Sequence, residues 1–359
     1  MSDYTTNGYL ISILRNAAKG EDNAEKSDAT RYLKMFRALE EKFFEKVHPF
    51  VDVGLAISEV QISSGSVPNI FTVHGSRHIA DLVKTLDKFT KEIADNSSEP
   101  LTCVEAYLLL CAAHVHDAAN VSKRKGHPAR CDELIKRYTE LFESTATSQW
   151  TYNVASVHGD EHPEFGKDTF RSLNADNYSP PRLPLLAALL RLCDELSENA
   201  DRVPGTVLKA HSHSSKSKLA HTYAKSFISC ELRKESLYLV YNIYPEQHEL
   251  MVTVNKKPVT FYEFLEGKLD AIDKEARYCT QYGRPVFGID QIKVTINRYA
   301  SPPPSKLDLV ENFTLHLNHG YPDHNGNSLC RRSPELSKKD ISRLAECFVV
   351  KPKRNRKRK

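Results

Sequence analysis

No stretch of the chain holds the roughly 20 consecutive apolar residues that a membrane-spanning helix needs. The opening MSDYTTNGYL also lacks a basic region followed by an apolar stretch, the pattern of a secretory signal. A membrane protein and a secreted protein are therefore not expected, and a cytoplasmic one is. No C-x-x-C pair occurs among the cysteines, which stand singly at Cys103, Cys111, Cys131, Cys193, Cys230, Cys279, Cys330 and Cys347. That argues against a disulfide framework or a thiolate zinc site and for reduced, mostly buried thiols. Charge of one sign is scarce too: the formal net charge is +4 over 359 residues, and the last nine, KPKRNRKRK, are strongly basic. The rest of the chain is close to neutral, so overall charge does not argue for a nucleic-acid binder. No internal repeat is visible.

What is present is helical periodicity, then a change of character. The length suits one large core plus a smaller domain. Between Asp28 and about Val53, Tyr32, Met35, Phe36, Leu39, Phe43 and Phe44 recur at helical spacing with charges between them. The turn-like SSGSVPN over 63–69 is followed by a second amphipathic run with Ile79, Leu82, Val83, Leu86 and Phe89 on one stripe. VEAYLLLCAAHVHD, CDELIKRYTELFES, TYNVASVHGDEH and PLLAALLRLCDELSENADR continue the pattern, separated by short polar or proline-containing links. Past Pro204, FISCELRKESLYLVYNIYP and LMVTVN are rich in β-branched and aromatic residues, which predicts a few antiparallel strands. TFYEFLEGKLDAIDKEARYC predicts one more helix and IDQIKVTINRY a closing strand. The expected organisation is mainly α. An N-terminal helical segment (1–69) packs on a helical core (70–204), followed by a small α+β domain (205–300). A linker and basic tail (301–359) ends the chain, with one short helix near Ser337 to Phe348.

Histidines and carboxylates recur at the polar edges of these helices: His74 and His78, His114 with His116 and Asp117, His127, His158 and His162, and Asp194. A buried imidazole or carboxylate facing an apolar bundle must be paired or must ligate a metal. Any one histidine alone reads more simply as a core residue with a hydrogen-bond partner; the ordered set outweighs that reading. Neighbours on a helix diverge by about 100°, so His116 and Asp117 can serve one ion only at a helix edge or end. Two imidazoles and two carboxylates suit Mn²⁺, Fe²⁺, Co²⁺, Ni²⁺ or Zn²⁺ better than Mg²⁺.

The order His, then His-Asp, then a distant Asp resembles the H…HD…D signature of the HD superfamily of metal-dependent phosphohydrolases, over roughly residues 70 to 204. His78 in HGSRHIADLV stands at the first ligand, His116 and Asp117 in LLLCAAHVHDAANV are the doublet, and Asp194 in AALLRLCDELSENADR is the final carboxylate. His127 and His158 resemble the extra histidines that some members use for a second metal or for substrate. The HG-x-x-H start, the DELSENADR ending and the appended α+β module are similar to the HD-CE group, thought to act in prokaryotic conflict systems. The resemblance implies an HD-type helical bundle and hydrolysis of a phosphate ester or phosphoanhydride by a metal-activated water. It implies one or two divalent ions. With two, Asp117 is the carboxylate expected to touch both and His127 and His158 hold the second. With one, the same two histidines become proton donors to the leaving oxygen. His74, which can also cap its helix, and His114, three residues before Asp117, are read as partners that orient the ligands.

One departure matters. Several HD enzymes carry HD-x-G-K and set its lysine on a phosphate oxygen, whereas Asn120 stands there in this chain. Lys123, Arg124 or Arg77 would have to substitute, and Arg202 is a further candidate for a substrate phosphate. HSHSSKSKLAHTYAK, over His211 to Lys225, reads as a mobile loop rather than a metal tract, from which His221 and Lys225 could reach a phosphate. The tail over 351–359 is a candidate for nucleic-acid contact, or only an aid to solubility. The expected substrate is a nucleotide, an oligonucleotide or single-stranded nucleic acid. A (deoxy)nucleoside triphosphate triphosphohydrolase, often an oligomer, and a degenerate ligand- or partner-binding module are the alternatives.

Overall fold

The computed structural model describes residues 7–53, 72–122, 126–159, 162–173, 175, 179–203, 214–299 and 307–316. Helices dominate its first part. α1 (Tyr9–Ala17) and α2 (Asn23–Lys46) lead, and the Asp22 carboxylate accepts from the Ala24 and Glu25 amides to start the second. α3 (Ser76–Asn96) buries the stripe Ile79, Leu82, Val83, Leu86, Phe89 and Ile93. α4 (Cys103–Val115) buries every residue but Val104, as an axial helix must, and opens on a reciprocal cap between Thr102 and Glu105. α5 (His127–Arg137), α6 (Thr145–Ser156) and α7 (Leu183–Leu196) complete the bundle, and α1, α2, α3, α6 and α7 all pack on α4.

The Arg182 guanidinium ties the start of α7 to the start of α4 by a two-point contact with Glu105, Nε–Oε1 and Nη2–Oε2 both 2.7 Å. Removing one partner of so buried a pair costs about 3–5 kcal/mol, because the other charge is stranded.

The second part is α+β. α8 (Ser215–Ser226) leads into the hairpin β1 (Phe227–Arg233) and β2 (Ser236–Ile243). The short α9 (Pro245–His248), a second hairpin of β3 (Met251–Val254) and β4 (Lys257–Thr260), and the long α10 (Phe261–Gly283) follow. β5 (Gln291–Tyr299) and β6 (Leu307–His316) close the sheet in the order β1-β2-β5-β6. β2 and β5 run parallel, which requires a crossover, and α10 lies within it. Leu237, Leu239, Tyr241 and Ile243 of β2 alternate into the core with Ile292, Val294 and Ile296 of β5, and α10 packs against α7 of the bundle.

Two expectations give way. The stretch expected to be a loop up to Lys225 is helical from Ser215, since Leu219, Tyr223 and Ala224 fall on one face and are buried while Lys216, Lys218 and Lys225 remain exposed. The chain beyond 300 is not linker throughout: 307–316 pairs antiparallel with β5. Its alternation of Leu307, Leu309, Phe313 and Leu315 is short and flanked by turn-like sequence, which hides a strand. The expected helix near Ser337, the 351–359 tail and the 63–69 turn lie outside the described residues. The six cysteines in the described part are free and buried.

Candidate metal centre

Helix ends bring the predicted ligands together. His78 lies in the first turn of α3, fully buried. α4 stops at Val115, so His116 caps it and Asp117 turns away at φ −99°, ψ −5° into a 3-10 turn over Ala118–Val121. That break resolves the divergence of adjacent helical residues and lets both face one point. Asp194 comes from the last turn of α7. His127 opens α5 behind Gly126, whose φ of +70° is a left-handed turn that favours glycine. His158 follows α6, and the next residue, Gly159, packs so closely on α5 that a Cβ there would sit 2.9 Å from Pro128 Cγ.

The donor atoms converge on Asp117 from two sides. Its Oδ2 lies 2.8 Å from His74 Nδ1, 3.6 Å from His116 Nε2 and 3.8 Å from His78 Nε2. On the same side Asp194 Oδ1 is 3.0 Å from His78 Nε2 and 3.7 Å from His116 Nε2. The other oxygen of Asp117, Oδ1, lies 2.8 Å from His127 Nε2 and 3.8 Å from His158 Nε2, and those two nitrogens are 3.0 Å apart. Three triads result, each with donor atoms within 4.8 Å of one another: His74, His78 and Asp117; His78, His116 and Asp194; Asp117, His127 and His158.

Three rings have their tautomer set by the nitrogen that faces away. His116 Nδ1 lies 3.0 Å from the Ala113 carbonyl and His158 Nδ1 2.5 Å from that of Ala155, so both Nδ1–H groups donate and Nε2 is the nitrogen that each ring turns to the centre. The Ser197 hydroxyl donates to the Asp194 carbonyl at 2.9 Å, which leaves Oγ to accept from His78 Nδ1 at 3.4 Å. The charges fit the same picture. Burial alone would raise Asp117 and Asp194, yet the surrounding imidazoles, His116 foremost, hold both well below the usual carboxylate range. Burial and the Arg202 guanidinium push His78 down to about 3. His116 is opposed by burial but lifted to about 9 by Asp117 and Asp194, so near neutral pH it carries a proton on Nε2 that a cation would have to displace. Two anionic carboxylates facing a set of imidazoles form a mixed N/O donor set able to hold a divalent metal ion.

The remaining predicted residues are placed as follows. Arg202 is buried, its Nε bound to the Val73 carbonyl at 2.9 Å and its Nη2 3.4 Å from His74 Nδ1. Arg77 is exposed, with Nη1 3.3 Å from the Asp201 carbonyl. On α8, His221 is buried and Lys225 exposed, and His221 is absent from the converging triads. Lys123 and Arg124 lie outside the described residues. His114 does not orient Asp117: its Nδ1 is 3.2 Å from His48 Nε2, among Phe36 and Phe44. Asn120, at the place of the family's lysine, donates from Nδ2 to Asp117 Oδ1 at 2.9 Å. Ser197, one turn past Asp194, carries no sequence signal beyond that spacing.

Carboxylates and imidazoles gathered at helix ends around one shared aspartate define a metal-binding helical bundle of the HD type. The chain belongs to the HD-CE family, whose model matches residues 68–278. The match takes in α8, the two hairpins and most of α10, so the α+β module lies largely inside the family's unit. No curated protein and no solved structure matches the chain.

Proposed function

We propose that the protein is a metal-dependent phosphohydrolase that cleaves phosphodiester or phosphate-ester bonds of a nucleotide or oligonucleotide, serving in prokaryotic conflict as its family implies. The observation that carries this reading is the division of Asp117: one oxygen faces His74, His78 and His116, the other faces His127 and His158. A carboxylate so divided is the shape of a bridge between two cations, which favours two ions over one. His78, His116, Asp194 and Asp117 Oδ2 would hold the first and His127, His158 and Asp117 Oδ1 the second. When bound, the metal supplies Lewis acidity toward a phosphoryl oxygen and lowers the pKa of a water enough for it to attack phosphorus near neutral pH.

The chain's own groups do the rest. The carbonyls of Ala113 and Ala155 and the Ser197 hydroxyl keep three Nε2 atoms aimed inward, where they would bind a cation. Because the Asn120 amide is turned to Asp117, it does not replace the missing lysine on the substrate. Arg202 brings a guanidinium to the edge of the centre beside His74, where a phosphoryl oxygen would meet a fixed positive charge.

The test is turnover by the purified protein, loaded with Mn²⁺, Co²⁺ or Ni²⁺, against cyclic and linear nucleotides, deoxynucleoside triphosphates and short single strands. Release of a phosphomonoester from a diester, or of phosphate from a monoester, is expected. Tripolyphosphate from a triphosphate would move the assignment to a triphosphohydrolase. No turnover of any of them by metal-loaded protein would leave a binding module and overturn the hydrolase reading.

A further inference from the structure

We infer that Arg191 and Thr169 are positioning residues for His158, through which α10 of the α+β module braces the His127–His158 side of the centre. The inference rests on the two-ion reading above. His158 sits just past the end of α6, tied to that helix by its ring bond to the Ala155 carbonyl. The peptides on both sides of it are also held. The Thr169 hydroxyl donates to the Val157 carbonyl at 2.7 Å, and Arg191 Nη1 donates to the Gly159 carbonyl at 3.1 Å and to Thr169 Oγ1 at 3.1 Å.

Arg191 is itself fixed by α10. Its Nε and Nη2 form a two-point ion pair with Glu275 at 2.6 and 2.7 Å, and its guanidinium lies 4.9 Å from the Tyr278 ring centroid. The same helix also holds the 3-10 turn Thr169–Leu173 and the residue before it. Tyr278 Oη accepts from the Phe170 amide at 2.9 Å, and the Tyr278 and Tyr282 hydroxyls donate to Asp168 Oδ1 at 3.2 and 2.5 Å. A planar guanidinium bound at both faces of its fork has little freedom to move, so the Gly159 carbonyl and, through Thr169, the Val157 carbonyl inherit the position of α10. Gly159 in turn abuts Pro128, beside His127. One chain of contacts thus runs from Glu275 to both imidazoles that face Asp117 Oδ1. Arg191 stands on α7, three residues before Asp194, so its pair with Glu275 anchors both sides, whereas the Thr169 bond to Val157 serves the His127–His158 side and its loss should act on one ion alone.

Arg191→Met would strand the Glu275 carboxylate and confuse positioning with folding, whereas Thr169→Val keeps the side-chain shape and removes only the hydroxyl. Calorimetric titration of Mn²⁺ into the metal-stripped full-length protein, with elemental analysis of the loaded product, reads both ions. The expected result is two classes of site in the parent protein, one of them weakened about 10–100-fold in Thr169→Val. The other is unchanged, and Thr169→Ser returns both to near the parent values. Glu105→Gln, about 16 Å along α4 from His116, supplies the structural control: it should lower Tm without separating the two affinities. Parent affinities in Thr169→Val, or an equal weakening of both sites, would overturn the brace while leaving the two-ion reading intact. A parent protein that takes up a single ion would instead remove the two-ion reading, and the brace with it.

Discussion

The two sides of the centre share Asp117 and are built in opposite ways. His78 and Asp194 stand on α3 and α7, long helices whose apolar faces are buried in the bundle, and His116 caps the buried α4. His127 begins a short helix behind a left-handed glycine, and His158 follows the end of another. The first side is held by helix packing, that of α10 on α7 included. The second is held by discrete hydrogen bonds and one close approach, reaching back to the α+β module. A side chain on a packed helix needs only the helix to be in place, whereas one at a helix end needs its own peptide fixed from outside. The comparison predicts a firm first ion and a second whose affinity is adjustable.

The largest test of that contrast strikes the shared residue. Asp117→Ala should cost both ions, visible by elemental analysis, and at least about 10³ in kcat/KM, since the groups act as a unit. Its circular dichroism spectrum should match the parent. A loss of one ion only would mean that the two sides do not depend on a common carboxylate.

A middle-sized effect is expected at Gly159→Ala. The new methyl would enter the space of Pro128, and overpacking of this kind costs about 1–3 kcal/mol. Because Pro128 is next to His127, the strain falls on the weaker side: metal titration should show the second ion lost or loosened and the first retained. Equal loss of both would break the distinction.

The smallest effect concerns His48 and His114, a buried imidazole pair outside the centre, with His48 Nδ1 and His114 Nε2 lacking a hydrogen-bond partner among the described residues. Burial pushes His114 down to about 3 from an ordinary 6.5 and lowers His48 in the same direction. The unfolded chain therefore binds the protons first. The stability of the neutral pair is fully present above about pH 6.5 and is lost as the pH falls toward 3, by about 1.4 kcal/mol per pH unit for each proton. Replacing both by leucine should leave stability at pH 7 nearly unchanged, since two unmatched polar atoms leave with the imidazoles. The slope of urea stability against pH should flatten below pH 6.5. An unchanged slope would mean that the pair does not titrate on unfolding, and that burial alone does not set the behaviour of imidazoles in this core.

Much of this was legible in the sequence, because amphipathic stripes and fully apolar runs are local signals. Phe36, Leu39 and Phe43 announced α2, and VEAYLLLCAA announced a helix buried on all sides. The order of His78, His116, Asp117 and Asp194 carried the first side of the centre. His114 misled for a physical reason: residues three apart share a face only within one helix, and α4 ends at Val115, before Asp117. α8 was obscured by the polar residues on its solvent face, and β6 by the turn-like sequence around it. Arg191, Thr169 and Glu275 could not have been found, since their contacts span 12 to 84 positions and leave no spacing to read.

Anomalous diffraction from crystals of the protein grown with Mn²⁺ tests most directly whether one aspartate joins two cations. Two peaks, one among His78, His116 and Asp194 and the other beside His127 and His158, with Asp117 between them, are predicted. A single peak on the first side, with His127 and His158 still hydrogen-bonded to Asp117 or to each other, would contradict it.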